Sequence, residues 1–154
     1  MTLPRLGARG EGWVVLQFAL LGVLALVTWL APGSWPPPVR WAGTVLMVLG
    51  LVVLALGFKD LGESLDARPA PLHRGSLRDR GVYSFVRHPI YGGLVLVAFG
   101  WALRSNPWAL LPAAALAVEL DLKRRVEESF LVARYEGYAD YRARVRRVFI
   151  PGLW

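Results

Sequence analysis

A cluster of polar side chains stands directly before an apolar segment, in the stretch RGVYSFVRHPIYGG at residues 80–93. Pro89 is placed where a helix would begin, because proline lacks the N–H group that has no partner in a first helical turn. The same proline disfavours helical backbone at the preceding residue, so Arg87 and His88 are expected on non-helical backbone beside a helix N-terminus. Two basic side chains next to free backbone N–H groups could hold a carboxylate or a phosphate.

Two tyrosines and two glycines complete this cluster. Tyr91 lies in the first turn of the expected helix, and Tyr83 follows an expected turn at residues 80–81. Gly92 and Gly93 remove side chains where another segment must approach or pack closely. Two phenols, an imidazole and a guanidinium could therefore converge on one small ligand, although the same residue types also serve as ordinary membrane-interface anchors.

A second polar cluster begins with the paired glutamates of the stretch EESFL, which continues a helical pattern out of the last apolar segment. Neighbouring side chains on a helix point about 100° apart, so one of Glu127 and Glu128 is expected to face inward and the other solvent. The alternative is a purely solvated helix, because Lys123 with Glu127 and Arg124 with Glu128 are i,i+4 pairs that would decorate any exposed helix.

The composition limits the chemistry that these clusters could support. The 154-residue chain has no cysteine and two histidines, His73 and His88, which are not in an HExxH-type spacing. Disulfides and thiol catalysis are excluded, and no metal site is predicted. Hydrophobic residues make up 55% of the chain, which favours a membrane protein. The net charge is +7, and the basic residues cluster beside the apolar runs. This position favours contact with anionic lipid over nucleic acid.

Four segments are predicted to span the membrane, at residues 13–30, 41–58, 90–103 and 108–122, in an all-α protein with one domain over residues 1–154. The first two contain 18 residues each without a charge, close to the ~20 that a hydrocarbon core requires. The first is too long an apolar run for a secretory signal peptide, so it is interpreted as an anchor. The third is short and the fourth contains acidic residues, so their inner ends are expected to face protein.

The basic residues predict the orientation of these spans. Sixteen of the eighteen lysines and arginines precede the first span, lie between the second and third, or follow the fourth. Only Arg40 and Arg104 fall on the opposite side. The positive-inside rule then places both termini and the middle loop in the cytoplasm.

The two clusters together resemble a known family. The segment LGESLDARPAPLHRGSLRDRGVYSFVRHPIYGG, followed by EESFL and by YEGYADYRARVRRVFIP, is similar to the integral-membrane methyltransferases that include isoprenylcysteine carboxyl methyltransferases and phospholipid N-methyltransferases. The resemblance covers about residues 59–151. In that family a Gly-x-Tyr-x-x-x-Arg-His-Pro-x-Tyr segment and a later Glu-Glu build an S-adenosylmethionine pocket at the cytoplasmic membrane face. The elements implied for this pocket are residues 73–93 and 123–150.

The resemblance also implies roles for individual residues. Arg124 matches an arginine of the substrate region, and Glu119 and Asp121, at the inner end of the fourth span, become candidates for a substrate tunnel or for a merely structural role. No obligatory general base is implied. Two departures are a glycine, Gly75, where the family often has histidine, and the shortened YEGY at residues 135–138. The positions implied to contact the cofactor are Leu77, Arg78, Tyr83, Arg87, His88, Pro89, Ile90, Tyr91 and Glu128.

Other functions fit parts of the sequence. The absence of a glycine-rich strand-turn-helix fingerprint excludes a soluble-type methyltransferase. An NADPH-dependent sterol-type membrane reductase and a non-catalytic membrane accessory protein both remain as alternatives. The methyl acceptor is left open among prenylated cysteine, a phospholipid amine, and a small hydrophobic thiol or acid. Frequent arginine and alanine indicate a prokaryotic cytoplasmic membrane.

Overall fold

The computed structural model describes residues 4, 6–62, 66, 68–69 and 77–150, and this part of the chain contains helices and no strand. Two short 3₁₀ turns cover Gly81–Ser84 and Pro107–Ala109. His73 and Gly75, which bear on the resemblance, lie outside the described residues. The five α-helices are α1 (Glu11–Leu30), α2 (Pro37–Leu61), α3 (Pro89–Arg104), α4 (Leu110–Arg134) and α5 (Tyr138–Arg144). The prediction of an all-α protein is therefore confirmed for these residues.

The first two helices have the length and apolar composition to cross a membrane. They contain 20 and 25 residues and include the first two predicted spans with a few residues added at the ends. Their large apolar side chains point outward, as shown by Trp29 and Trp41, which are 83% and 70% exposed. A soluble monomer rarely exposes a continuous apolar surface of this extent, so lipid is the expected environment.

The third and fourth predicted spans are less complete. α3 is an apolar helix of 16 residues, shorter than the ~20 that a hydrocarbon core requires. α4 has 25 residues, but acidic and basic side chains occupy its second half from Glu119 onward. Pro112 lies in the first turn of α4, where it does not interrupt the helix. The four-span arrangement stays a prediction.

Glycines join α2 to α3. The buried residues of α2 are Gly43, Gly50 and Gly57, spaced seven apart on one face. A Cβ atom built at Gly50 would lie 2.8 Å from the carbonyl oxygen of Gly93 on α3, and one built at Gly100 would lie 2.7 Å from that of Gly43. The two backbones therefore meet almost directly, which is the small-residue packing typical of membrane helices.

This close approach predicts a specific sensitivity to substitution. Gly50→Ala is expected to lower the free energy of unfolding by about 1 to 3 kcal/mol, because the added methyl group would overlap the α3 backbone. Gly22→Ala on α1 is the matched control, since no atom lies within 4 Å of a Cβ at that position. It should be neutral or stabilise the helix by up to about 1 kcal/mol. Thermal unfolding in detergent micelles measures both, and equal shifts would contradict direct backbone packing at Gly50.

α1 packs against α4, with Asn106 tying the end of α1 to the start of α4. The Asn106 side chain is 1% exposed. Its Nδ2 donates to the Val27 carbonyl at 3.2 Å, and its Oδ1 accepts from the Ala109 backbone N–H at 3.2 Å. The core between α1, α3 and α4 is apolar, with Leu24, Leu116 and Leu120 fully buried. α2 lies on the outer side of α3.

The segment after α4 turns back onto the start of α3. α4 ends at Arg134, a turn at residues 136–137 leads into α5, and residues 145–150 then run beside the polar cluster. The backbone N–H of Arg87 donates to the Arg147 carbonyl at 3.0 Å, and that of His88 donates to the Val148 carbonyl at 2.9 Å. The C-terminal segment is therefore part of the same assembly as the Arg-His-Pro motif.

Candidate functional site

A cavity of about 590 Å³ lies where α1, the end of α2, the first turn of α3, the second half of α4 and α5 meet. Its volume is in the range of small-molecule and cofactor sites. Of the nine positions implied to contact a cofactor, seven line it, and Pro89 and Glu128 do not. The seven are Leu77, Arg78, Tyr83, Arg87, His88, Ile90 and Tyr91. The fold thus brings residues 80–93 and α4 to one cavity.

His88 lies between the two glutamates of α4. Its Nε2 is 3.2 Å from Glu128 Oε1, and its Nδ1 is 3.9 Å from Glu127 Oε2. Its backbone is non-helical, with φ −129° and ψ 63°, because it precedes Pro89 at the start of α3. Both glutamates therefore contact the cluster. The expectation that one of them would simply face solvent does not match this geometry.

Arg87 forms a buried ion pair with Glu128. Its Nε donates to Glu128 Oε1 at 2.9 Å, and the two side chains are 6% and 4% exposed. Its Nη1 donates to the carbonyl oxygens of Val145 and Arg146 at 2.7 and 2.9 Å. The guanidinium thus joins three segments, namely the start of α3, the second half of α4 and the C-terminal segment. Glu128 lies behind the cavity wall that Arg87 and His88 form.

The environment of Glu128 shifts its titration. Burial by itself raises the pKa of this carboxyl, but the hydrogen bonds to His88 and Arg87 and the nearby guanidinium charge outweigh burial and lower the pKa to about 2. Glu128 is therefore an ionised carboxylate throughout the physiological pH range. A permanently ionised, paired carboxylate can orient its partners but cannot act as a proton acceptor near neutral pH.

Because the pKa of Glu128 is low, the stability of the fold is expected to fall in acid. A carboxyl whose folded pKa lies below its unfolded value of 4.5 stabilises the fold above pH 4.5, and this contribution falls as the pH drops towards 2. We expect the unfolding temperature to decline as the pH falls from 5 towards 2, with on the order of 3 kcal/mol at stake over that whole range. Glu128→Gln should flatten this part of the profile, whereas the exposed Glu136→Gln should not. A wild-type slope retained in Glu128→Gln would contradict the assignment.

Tyr91 and Glu127 form the face of the cluster that meets the cavity. The Tyr91 hydroxyl donates to Glu127 Oε2 at 2.7 Å, and the Tyr91 ring stacks on the His88 ring with centroids 5.5 Å apart. Glu127 is 24% exposed, whereas Glu128 is 4% exposed. Glu127 therefore presents a carboxylate to a ligand in the cavity, and Tyr91 fixes its orientation.

Tyr83 is held by the 3₁₀ turn that precedes the motif. The turn begins at Gly81 with φ 59°, a left-handed conformation that glycine adopts without strain. The Asp60 carboxylate accepts from the Val82 N–H at 2.8 Å and anchors the turn to α2. The Tyr83 carbonyl accepts from the Tyr141 hydroxyl at 2.7 Å. Burial raises the pKa of both tyrosines, so their phenols are neutral hydrogen-bonding groups.

Comparison with known proteins fits this arrangement. The family model described as phospholipid methyltransferase matches residues 39–137, more than half of the chain. The chain belongs to the phospholipid methyltransferase family. A search of curated proteins found no match. Membership in the family implies methyltransferase activity in general, and the two apolar helices fit a membrane protein. The family match begins after α1, at residue 39 within α2, and includes α3 and α4.

Three further residues with expected substrate roles lie away from the cavity of this phospholipid methyltransferase family member. Arg124 pairs with Asp121 at 2.8 Å and approaches Glu128 Oε2 at 3.6 Å. Asp121 also pairs with Arg125 at 2.8 Å. Glu119 is 3% exposed, and neither of its carboxyl oxygens has a hydrogen-bond partner among the described residues. The structure does not bring Arg124, Asp121 or Glu119 to the cavity wall.

The cavity also contains residues that motif reasoning missed. Gln17 on α1 and Lys123 on α4 are buried and meet there. Tyr138 on α5 is 2% exposed, and its hydroxyl has no partner in the part of the chain that the structure describes. Gln17 did carry a signal, since an amide is unusual in an apolar span. The alternative of a solvated helix, with Lys123 and Glu127 as a surface pair, does not hold for Lys123, because this residue is buried and bonded to α1.

Proposed function

We propose that this protein transfers a methyl group from S-adenosylmethionine to a lipophilic acceptor bound in the cavity. The observation that carries the proposal is that the Arg-His-Pro segment and the glutamates of α4, both implied by the resemblance, line or support one cavity in a member of a methyltransferase family. The apolar α1 and α2 beside the cavity suit an acceptor that resides in the lipid bilayer.

The residues of the cavity suit a ligand with charged and planar parts. Glu127 offers a carboxylate to a cationic group, and the Tyr138 hydroxyl, which has no partner among the described residues, offers a donor. Leu77, Leu131 and Tyr141 contribute an apolar wall for a flat ring. When bound, S-adenosylmethionine supplies an electrophilic methyl group on a positively charged sulfonium. Glu127, Tyr83, Tyr138 and the motif residues Arg87 and His88 would hold the cofactor.

The chemistry that remains for the protein is positioning and exclusion of water. Methyl transfer requires the acceptor to lie in line with the donor, and a closed site supplies that orientation and removes competing water. A carboxylate acceptor is already ionised and needs no base. An amine acceptor must lose a proton, and Glu127 and His88 both line the cavity, where either could accept it. Glu128 is fixed as a carboxylate by its partners and holds Arg87 and His88 in place.

The orientation in the membrane is part of the same proposal. Sixteen of eighteen basic residues occupy the side that holds both termini and the loop before α3, and this distribution supports a cytoplasmic position for the cavity. A water-soluble donor would then reach the cavity from the cytoplasm of a prokaryotic cell, and the acceptor would reach it from the bilayer. A cavity at the membrane interface could therefore bind both the water-soluble donor and the lipophilic acceptor.

The test is a calorimetric titration of the purified protein in detergent. We expect binding of S-adenosylmethionine and of S-adenosylhomocysteine and no binding of NADPH, and we expect transfer of a labelled methyl group into a membrane lipid extract that mass spectrometry then identifies. Binding of NADPH alone would indicate a membrane reductase. Absence of binding by all three ligands would indicate a non-catalytic accessory protein.

A further inference from the structure

One of the two lysines of the chain is buried in the cavity. The chain has sixteen arginines but only Lys59 and Lys123 as lysines. Lys59 lies on the exposed surface of α2, whereas Lys123 is 1% exposed. Burying an ammonium group is costly unless its hydrogen bonds and charge are satisfied, so a lysine is rarely placed in such a position without a partner.

Within the described residues, the hydrogen-bond partners of the Lys123 ammonium are incomplete. Its Nζ donates to Gln17 Oε1 on α1 and lies 5.2 Å from the centroid of the Tyr91 ring. No carboxylate of the described residues lies within the 4.0 Å limit for an ion pair with this ammonium. An ammonium has three N–H donors, so two remain without an acceptor in that part of the chain.

The surroundings of this pair combine apolar side chains with three carboxylates beyond ion-pair distance, those of Glu119, Glu127 and Asp66, whose charges act on the Lys123 ammonium. Phe18 and Leu21 on α1 and Leu94 on α3 line the same cavity. Phe18 is 62% exposed on the surface that the apolar α1 presents to its environment. Free donors with a positive charge therefore stand at the part of the cavity closest to the lipid-facing side of α1. In a desolvated site, such donors select an anionic oxygen group, because charge-assisted hydrogen bonds are the strongest that they can form.

We propose that Lys123 and Gln17 bind an anionic group, a carboxylate or a phosphate, of the methyl acceptor and thereby determine which amphiphiles are accepted. This inference rests on the proposed methyl transfer. Lys123 lies within residues 39–137, which the family model matches, whereas its partner Gln17 lies outside them. The methyl donor also has a carboxylate. The position of the pair on the α1 wall, among Phe18, Leu21 and Leu94, assigns it to the acceptor.

The experiment compares an anionic and a neutral amphiphile with the same chain. Dodecyl phosphate and dodecanol are titrated calorimetrically into the purified protein in an uncharged maltoside detergent. The wild type should bind dodecyl phosphate at least about 10-fold more tightly than dodecanol, equivalent to ~1.4 kcal/mol. Lys123→Met should abolish this preference, and Gln17→Leu should reduce it. Lys59→Met is the matched control and should retain it.

A second titration with S-adenosylhomocysteine separates the possible sources of the anion. Its affinity should stay within about twofold of wild type in Lys123→Met. An equal loss for S-adenosylhomocysteine and dodecyl phosphate would show that the lysine holds the donor carboxylate and would overturn the inference. The inference would also be overturned if the preference for dodecyl phosphate survived in both Lys123→Met and Gln17→Leu, or if the wild type showed no such preference. Failure of the wild type to bind S-adenosylhomocysteine would refute the proposed methyl transfer, while the dodecyl phosphate comparison would still decide whether this pair binds an anion.

Discussion

Replacing Arg87 with methionine is expected to lower the free energy of unfolding by about 3 kcal/mol, the low end for a broken buried ion pair. The Glu128 carboxylate loses its closest cationic partner but keeps His88 Nε2 at 3.2 Å and Arg124 Nη1 at 3.6 Å. Arg87 Nε and Glu128 Oε1 are 2.9 Å apart, and both side chains are almost completely buried. The same substitution removes the hydrogen bonds to the carbonyls of Val145 and Arg146, which hold the C-terminal segment against α3. Unfolding in detergent, followed by circular dichroism, measures the loss.

A double-mutant cycle distinguishes this pair from a general effect of truncation. Glu128→Leu alone should cost a similar amount, and the double variant should cost clearly less than the sum, since neither charge is then buried alone. The exposed pair of Arg144 and Asp79 is the control: its atoms are 2.8 Å apart, but the side chains are 61% and 40% exposed. Asp79→Asn should cost less than about 1 kcal/mol. Additive single effects at Arg87 and Glu128 would contradict a coupled ion pair.

The sequence predicts where the helices of this protein lie better than it predicts which helices pack against each other. Charge-free runs identify α1 and α2, and the Pro89 signal places the start of α3 at the correct residue. The seven-residue spacing of Gly43 and Gly50 is visible in the sequence, but nothing in it names α3 as the partner. Which helices pack together depends on shape complementarity over the whole apolar surface, and a local pattern does not contain that information.

The same limit applies to the site. The approach of Glu128 to His88 across 40 positions followed from the resemblance, because no local spacing links them. Lys123 shows the opposite case, in which local spacing was misleading. An i,i+4 pair with Glu127 is the usual arrangement on an exposed helix, but here α1 covers this face of α4 and offers Gln17 as the partner. Burial by a distant helix decided the role of the residue.

Substitutions of the two adjacent glutamates are expected to have different effects on ligand binding and on stability. The resemblance implies a cofactor contact for Glu128 and none for Glu127, but Glu127 lines the cavity and Glu128 supports Arg87 and His88 from behind. Glu127→Gln keeps the size of the side chain and an oxygen that can accept from Tyr91. It removes the negative charge that would attract a cationic ligand group in a desolvated cavity.

Glu127→Gln is therefore expected to weaken S-adenosylhomocysteine binding by about 10- to 100-fold, the effect of losing a charged hydrogen bond, with an unchanged unfolding temperature. Glu128→Gln should lower the unfolding temperature and the affinity together, because it disturbs Arg87 and His88. Calorimetry paired with thermal unfolding separates these outcomes, and Glu136→Gln controls for the loss of one acidic charge on the exposed turn after α4. Full affinity in Glu127→Gln, with affinity lost in a stably folded Glu128→Gln, would show instead that Glu128 contacts the cofactor directly. The two outcomes can be distinguished because the Glu127 carboxylate lines the cavity, whereas the Glu128 carboxylate is already paired with Arg87 and His88.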